Sequence, residues 1–279
     1  MTMPINLENP IGEYIKIYLS RSRFKEVRDR RVAGGGSVTS ILIYLIDKKL
    51  VDGVITARRV KGFKGRIVLA QTREDVLDAA GDKWMVIPYS TGLKDTIINS
   101  ALERIAVVGL PCQVQFLEQM RKMPLLETDI SERIYILISL FCMGTFASEA
   151  FLNLIHVKHG LRPSEILDIR LMKDTFEILS EKGIYHVTLS EAAPYLQSGC
   201  LMCQDYTGVF SDISAGTSDS HPGCSILISR TELGEKIIQD AAKEGYIEVE
   251  EAPQSVIAEL KTKAHEKMLR ALEYISRFL

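Results

Sequence analysis

Cys200 and Cys203 form a CxxC pair behind Gly199, near enough in sequence for both thiolates to bind one metal centre. Cys112 and Cys142, far upstream, would complete a four-sulfur set. Four thiolates suit either a structural zinc or an iron–sulfur cluster. Zinc sites more often use two compact pairs, so one pair joined by two distant singletons leans toward a cluster and leaves zinc open. A dithiol redox motif would be expected to open a helix after an early strand, whereas this CxxC comes late. The spacing matches neither ferredoxin pattern, and Cys224 is left over.

A second stretch with chemical potential is Gly34-Gly35-Gly36-Ser37-Val38-Thr39. Glycines let a ligand approach the backbone, and the free N–H groups of a helix start attract anions, so the triplet can be a phosphate cradle. It can equally be a tight turn before a helix capped by Ser37. It is neither the dinucleotide fingerprint nor the P-loop. Just upstream, residues 11–31 hold a cationic run including Lys16, Arg21, Arg23, Lys25, Arg28, Arg30 and Arg31. Such a run is ordinarily a solvated helix face; its place beside the glycines also makes it a candidate guide for anions.

These residues need a frame. β-branched runs at residues 51–57 and 66–71 read as strands, and Thr72 opens a helix with acidic residues at its positive end. Residues 104–113 read as a buried strand ending in a turn, with a helix from about Gln113 to Lys122. The pattern repeats at residues 134–142, followed by a helix near Ser148. Two strands thus deliver Cys112 and Cys142 to a sheet edge, where ligands collect in α/β folds. Alternation over residues 166–187 indicates an antiparallel hairpin or meander. Residues 212–224 read as a polar, turn-rich loop before a strand at residues 225–229. Amphipathic residues 232–243, a strand at residues 246–249 and a Lys/Glu-rich helix at residues 255–279 close the chain. Lys83 and Trp84, taken alone, earn no role.

At 279 residues, 46% hydrophobic and 25% charged, the chain is globular, large enough for a sizeable core. A formal net charge of −2 gives no general reason to expect nucleic acid. Five cysteines without a leader-like N-terminus do not make a secreted disulfide framework, and the apolar run near Ile134 is too short to span a bilayer. The expectation is a cytoplasmic α/β protein, one domain over residues 1–279, with a mixed sheet core flanked by helices, an iron–sulfur-binding region and a long C-terminal helix.

In order and spacing, the Gly34–Thr39 stretch, Ala80-Gly81-Asp82-Lys83-Trp84, Leu110-Pro111-Cys112-Gln113, Phe141-Cys142-Met143, Gly199 to Tyr206, and Asp212 to Gly216 together resemble the beta subunit of coenzyme F420-reducing hydrogenase. The likeness extends to its relatives in F420-linked formate dehydrogenase and F420H2 dehydrogenase, and it runs nearly end to end. It implies an oxidoreductase subunit that binds FAD and a 4Fe-4S cluster and exchanges hydride with coenzyme F420, passing single electrons to or from an iron–sulfur partner subunit. Cys112, Cys142, Cys200 and Cys203 would hold the cluster; Gly34, Gly35, Gly36, Ser37, Val38, Thr39 and Lys83 would lie at the flavin. F420 carries a phosphate and a glutamate tail, both anionic, which gives the basic run a task. No acid–base dyad is required, and the protein's part is orientation and electrostatics.

This chain departs from the family at Cys224, where many members have an aromatic residue, and at Gly81-Asp82-Lys83-Trp84, which replaces a Gly-Thr-Lys-Tyr-like segment. It also lacks the additional ferredoxin segment of some relatives. Two other readings follow: a ferredoxin-linked flavin and iron–sulfur reductase of another substrate, and a docking or electron-conduit subunit without catalysis.

Overall fold

The computed structural model describes residues 5–30, 34–60, 64–81, 83, 87, 89, 92–93, 96, 102–122, 131–172 and 174–277. Asp82, Trp84 and Arg31, singled out in the sequence, lie outside them. Among the described residues, eleven strands form two sheets. In chain order they are β1 (Lys16–Ser22), β2 (Gly53–Val60), β3 (Lys64–Ala70), β4 (Ile105–Gly109), β5 (Ile134–Leu140), β6 (Ile166–Met172), β7 (Thr175–Ser180), β8 (Gly183–Thr188), β9 (Ile213–Thr217), β10 (Ser225–Ser229) and β11 (Ile247–Glu251). The described helices are α1 (Lys25–Arg28), α2 (Ser37–Asp47), α3 (Arg73–Asp78), α4 (Pro111–Lys122), α5 (Ser148–His159), α6 (Leu189–Ala192), α7 (Ser198–Leu201), α8 (Glu232–Lys243) and α9 (Gln254–Ser276).

The large sheet runs β11-β1-β10-β9-β5-β4-β2-β3, and its inner strands β9, β5, β4 and β2 are parallel neighbours. Strands β4 and β5 are nearly all buried and read as continuous apolar runs, as expected where both faces are covered. One face packs on α2, α3 and α8, through Val54, Ala106, Ile136 and Leu227. The other packs on α4, through Ile55, Val107, Val114 and Leu117. Toward the β1 side, Leu19, Ile226 and Ile228 meet Val256, Leu260 and Ala264 of α9. The smaller sheet, β6-β7-β8, is an antiparallel meander with its own core around Phe151, Phe176 and Ile178. Among the described residues, no helix is long and apolar enough to cross a membrane.

Three local expectations change. The 212–224 stretch is not all loop: Ile213–Thr217 is β9, in the middle of the large sheet, because its small residues pair with β5 and β10 while Asp212 is held by buried partners. The helix after β4 begins at Pro111, since proline's fixed φ suits the first helical position. The cationic run is mostly strand β1 and the short α1, not a helix face.

Candidate functional site: a four-cysteine corner and a glycine loop

The carboxyl ends of the parallel strands share one edge of the large sheet. Cys112 stands there in the first turn of α4, whose start is closed by the Leu110 N–H donating to Gln113 Oε1 at 2.7 Å. Cys142 follows β5, and its N–H donates to the carbonyl of Tyr206 at 2.9 Å, tying the strand end to the segment after the CxxC. Cys200 lies in α7 and Cys203 just beyond it, with the Thr145 N–H donating to Cys200 Sγ at 3.5 Å.

Two of the thiols, Cys112 and Cys142, respond to neighbouring cysteines. Protein crowding pushes the Cys112 thiol up, even though the residue presents surface to solvent, and the neighbouring Cys203 and Cys200 add to the rise. Burial pushes Cys142 up to about 11; Lys267 opposes the rise, and Cys200 and Cys112 add to it. All five cysteines are free. Cys224 packs beside Phe141 and Ile257. Among the described residues, no group of three or more Cys, His, Asp or Glu side chains is close enough to hold a single metal ion.

Sequence reasoning missed the cations beneath this corner. Lys267 on α9 is 1% exposed and donates to the carbonyls of Cys142 and Asp205, each at 2.6 Å. Arg270 Nη2, one turn on, donates to the Met143 carbonyl at 2.6 Å and the Cys200 carbonyl at 3.3 Å. The signal was present: Val256, Leu260, Ala264, Lys267 and Ala271 form one buried stripe of α9, and a lysine in such a stripe must find partners. Asp212, likewise unassigned, accepts from the Leu137 N–H at 2.8 Å, Thr231 Oγ1 at 2.9 Å and Arg121 Nη1 at 3.3 Å, joining β5, α8 and α4 at the opposite edge of the sheet.

The glycine loop lies at the same edge, against β1 and the β9–β10 turn. Its N-cap is Gly36 at φ +76°, a left-handed conformation that favours glycine, and no side chain caps α2. Ser37, expected as the cap, is the first helical residue, and its hydroxyl donates to Ser20 Oγ at 2.9 Å. The N–H groups of the first turn therefore have no partner within the helix, the arrangement that accepts an anion. Gly35 has a separate reason: a Cβ there would lie 2.6 Å from the Ser20 carbonyl oxygen and 2.9 Å from Arg21 Cα. Lys83 turns its ammonium to the carbonyls of Ala79 and Gly81, closing the C-terminal end of α3. Arg30 reaches that end too, donating to the Leu77 carbonyl at 3.2 Å. Much of the basic run is neutralised locally, Arg21 and Arg23 by Glu248 and Arg30 by Asp78.

The fold and site define an α/β protein with a parallel core whose carboxyl edge carries a four-thiol corner and an uncapped helix start. The chain belongs to the coenzyme F420 hydrogenase/dehydrogenase beta subunit family: residues 17–94 match the N-terminal model of that family and residues 102–255 the C-terminal one. It is 34% identical over 241 residues to the coenzyme F420 hydrogenase subunit beta of Methanococcus voltae, covering 86% of this chain and 85% of that one. The F420-dependent formate dehydrogenase subunit beta of Methanocaldococcus jannaschii is 26% identical over 232 residues, 82% of this chain and 60% of the relative. A chain of the F420-reducing NiFe hydrogenase complex from Methanosarcina barkeri superposes with a TM-score of 0.88 at 26% identity, covering 96% of this chain and 93% of that one.

Proposed function

We propose that this chain is the cytoplasmic subunit at which a larger redox complex exchanges hydride with coenzyme F420, with FAD and one 4Fe-4S cluster as its resident groups and an iron–sulfur subunit as its partner. The reading takes residues 1–279 as one working unit. Its main support is the meeting of Cys112, Cys142, Cys200 and Cys203 above the buried ammonium of Lys267. Family membership and the F420-linked names of the relatives support the coenzyme.

When bound, the flavin supplies the exchange between a two-electron hydride and single electrons, and the cluster supplies the one-electron path. The chain's own residues do the rest. The four thiolates would hold the cluster. Lys267 supplies positive charge beneath a set of negative ligands, and the Thr145 N–H directs a dipole at Cys200 Sγ. Gly34, Gly35, Gly36, Ser37, Val38 and Thr39 would lie at the flavin, with the open N–H groups of α2 suited to its pyrophosphate. Lys83 would stand beside them, its ammonium keeping the end of α3 in place. Hydride transfer needs orientation more than acid–base help, and rigid strand ends provide it.

The test is anaerobic: reduced F420 is added to the FAD-loaded protein with a viologen dye as acceptor, and return of the oxidised coenzyme's visible absorbance is followed. Turnover is the expected result. Inactivity with flavin and iron both bound would mean a different substrate, and iron without flavin would mean a docking subunit.

A further inference from the structure

Buried polar atoms find partners, and each exception calls for an explanation. Among the described residues three such side-chain atoms have none: Ser139 Oγ, Glu235 Oε2 and Arg270 Nε. The first is a hydroxyl packed under Gly208, and the second belongs to a carboxyl group whose other oxygen accepts from Tyr18 at 2.6 Å. The third differs in kind, because it is a donor on a cation and stands at the cysteine corner. A buried group of this sort left without an acceptor costs more when it is charged.

Its surroundings place the guanidinium. Arg270 Nη2 donates to the carbonyls of Met143 and Cys200, at 2.6 Å and 3.3 Å. A Cβ built on Gly144 would lie 3.5 Å from Cys200 Cβ and 3.9 Å from that same Nη2, so the guanidinium and the Cys200 side chain flank one short piece of backbone. The group is rigid and planar, so Nε is carried to the same place. The carbonyls there are engaged, those of Cys142 and Asp205 by Lys267 and those of Met143 and Cys200 by Nη2. The acceptors that distinguish this corner are sulfurs, and the Thr145 N–H already points at one, Cys200 Sγ at 3.5 Å.

We infer that Arg270 donates from Nε to a sulfur of the iron–sulfur cluster held at this corner and thereby sets its reduction potential. The inference rests on the cluster reading above and adds to it a positioning residue, one that acts through the cluster and touches neither the flavin nor the coenzyme. In the step concerned, the reduced flavin gives up one electron, the cluster gains it, and no atom moves. The added negative charge spreads onto the sulfurs, where an N–H donor on a cation stabilises it. Hydrogen bonds to the sulfurs are among the determinants of such potentials, so Arg270 raises the potential and favours flow from flavin to cluster.

The experiment uses the full chain, loaded anaerobically with FAD, iron and sulfide, and reads the cluster's midpoint potential by redox titration followed with electron paramagnetic resonance. Arg270→Lys keeps the charge and a donor for the Met143 carbonyl but has no Nε, whereas Arg270→Met keeps only the stem. Iron content and the unfolding midpoint should hold in the lysine variant. Its reduction equilibrium should fall about tenfold, the scale of one charge-assisted hydrogen bond, which is about 59 mV for one electron. The methionine variant should fall further. In the wild type, arginine labelled with heavy nitrogen should show a magnetic coupling to the reduced cluster, and the coupling should vanish in Arg270→Lys. An unchanged potential in the lysine variant, or no coupling in the wild type, overturns the inference. Iron lost from both variants makes Arg270 an anchor of the Cys200 turn and also overturns it. Wild-type protein without an iron–sulfur signal overturns the cluster reading itself, a result separable from the others because it appears before any substitution.

Discussion

An ammonium group in a protein interior is costly unless its hydrogen-bonding capacity is met and counter-charge is near. Lys267 meets both conditions, with two carbonyl acceptors at 2.6 Å and the Asp205 carboxyl group close enough for its titration to respond to it. Lys267→Met keeps the stem but removes the donor from two carbonyls. The expected destabilisation is about 2 kcal/mol, read from denaturant unfolding, since a buried acceptor left unmet costs on that order. The same variant should hold less iron, because the carbonyls it anchors belong to Cys142 and to Asp205 beside the CxxC. Cysteine roles separate by metal analysis: Cys200→Ser should lose iron, whereas Cys224→Ser, whose side chain packs with Phe141 and Ile257, should keep it. Full iron in the first variant would remove the cluster reading.

At the scale of elements, the start of α2 is defined by what presses on it. Gly35→Val would drive a branched Cβ into the Ser20 carbonyl and Arg21 Cα, which are backbone of β1 and cannot swing aside. We expect a loss of about 1–3 kcal/mol, the usual range for overpacking, together with weaker flavin retention. Gly34→Ala meets its nearest neighbours at 3.1 Å and should be milder in both respects. The smaller sheet makes a pH prediction. Glu191 is lowered to about 2 by Lys158 and by the N–H and hydroxyl of Thr188, and Glu165 is lowered to about 2 by Lys182 and by Arg162. A depressed carboxylate contributes stability above its unfolded value near 4.5 and loses it as pH falls toward about 2. Amide exchange in β6, β7 and β8, corrected for the intrinsic pH effect, should therefore quicken between pH 5 and pH 3 relative to β4 and β5.

For the molecule as a whole, α9 ties the two candidate sites together. Near its start Glu259 accepts from the Asp219 N–H at 2.8 Å and from Ser220 Oγ at 2.6 Å, fixing the β9–β10 turn that borders the glycine loop. Eight residues on, Lys267 reaches the cysteine corner, roughly 12 Å along the axis at the α-helical rise. Because that rise is rigid, one helix sets the spacing of both sites. Glu259→Gln should loosen the turn and reduce flavin content while leaving iron in place, and Lys267→Met should do the reverse. Flavin and iron falling together in both variants would mean that α9 acts through overall stability instead.

What the sequence alone determined is what local chemistry carries. The strands of β2 to β8, the capped start of α3, helix α8 and the C-terminal helix were legible because period and capping depend on neighbours a few residues away. The four cysteines stood out as a set because thiolates are scarce and one pair was adjacent, and the order of short motifs gave the family. Tertiary structure decided what depends on distant partners. Ile213–Thr217 looks like a polar loop until β5 and β10 flank it and its small residues become a virtue in a crowded sheet centre. The second demand on Gly35, the backbone of β1 pressed against it, shows only once the two segments are packed. Lys267 and Asp212 look like surface charges until the chain closes over them, because burial is a property of packing between segments distant in sequence and no short window records it.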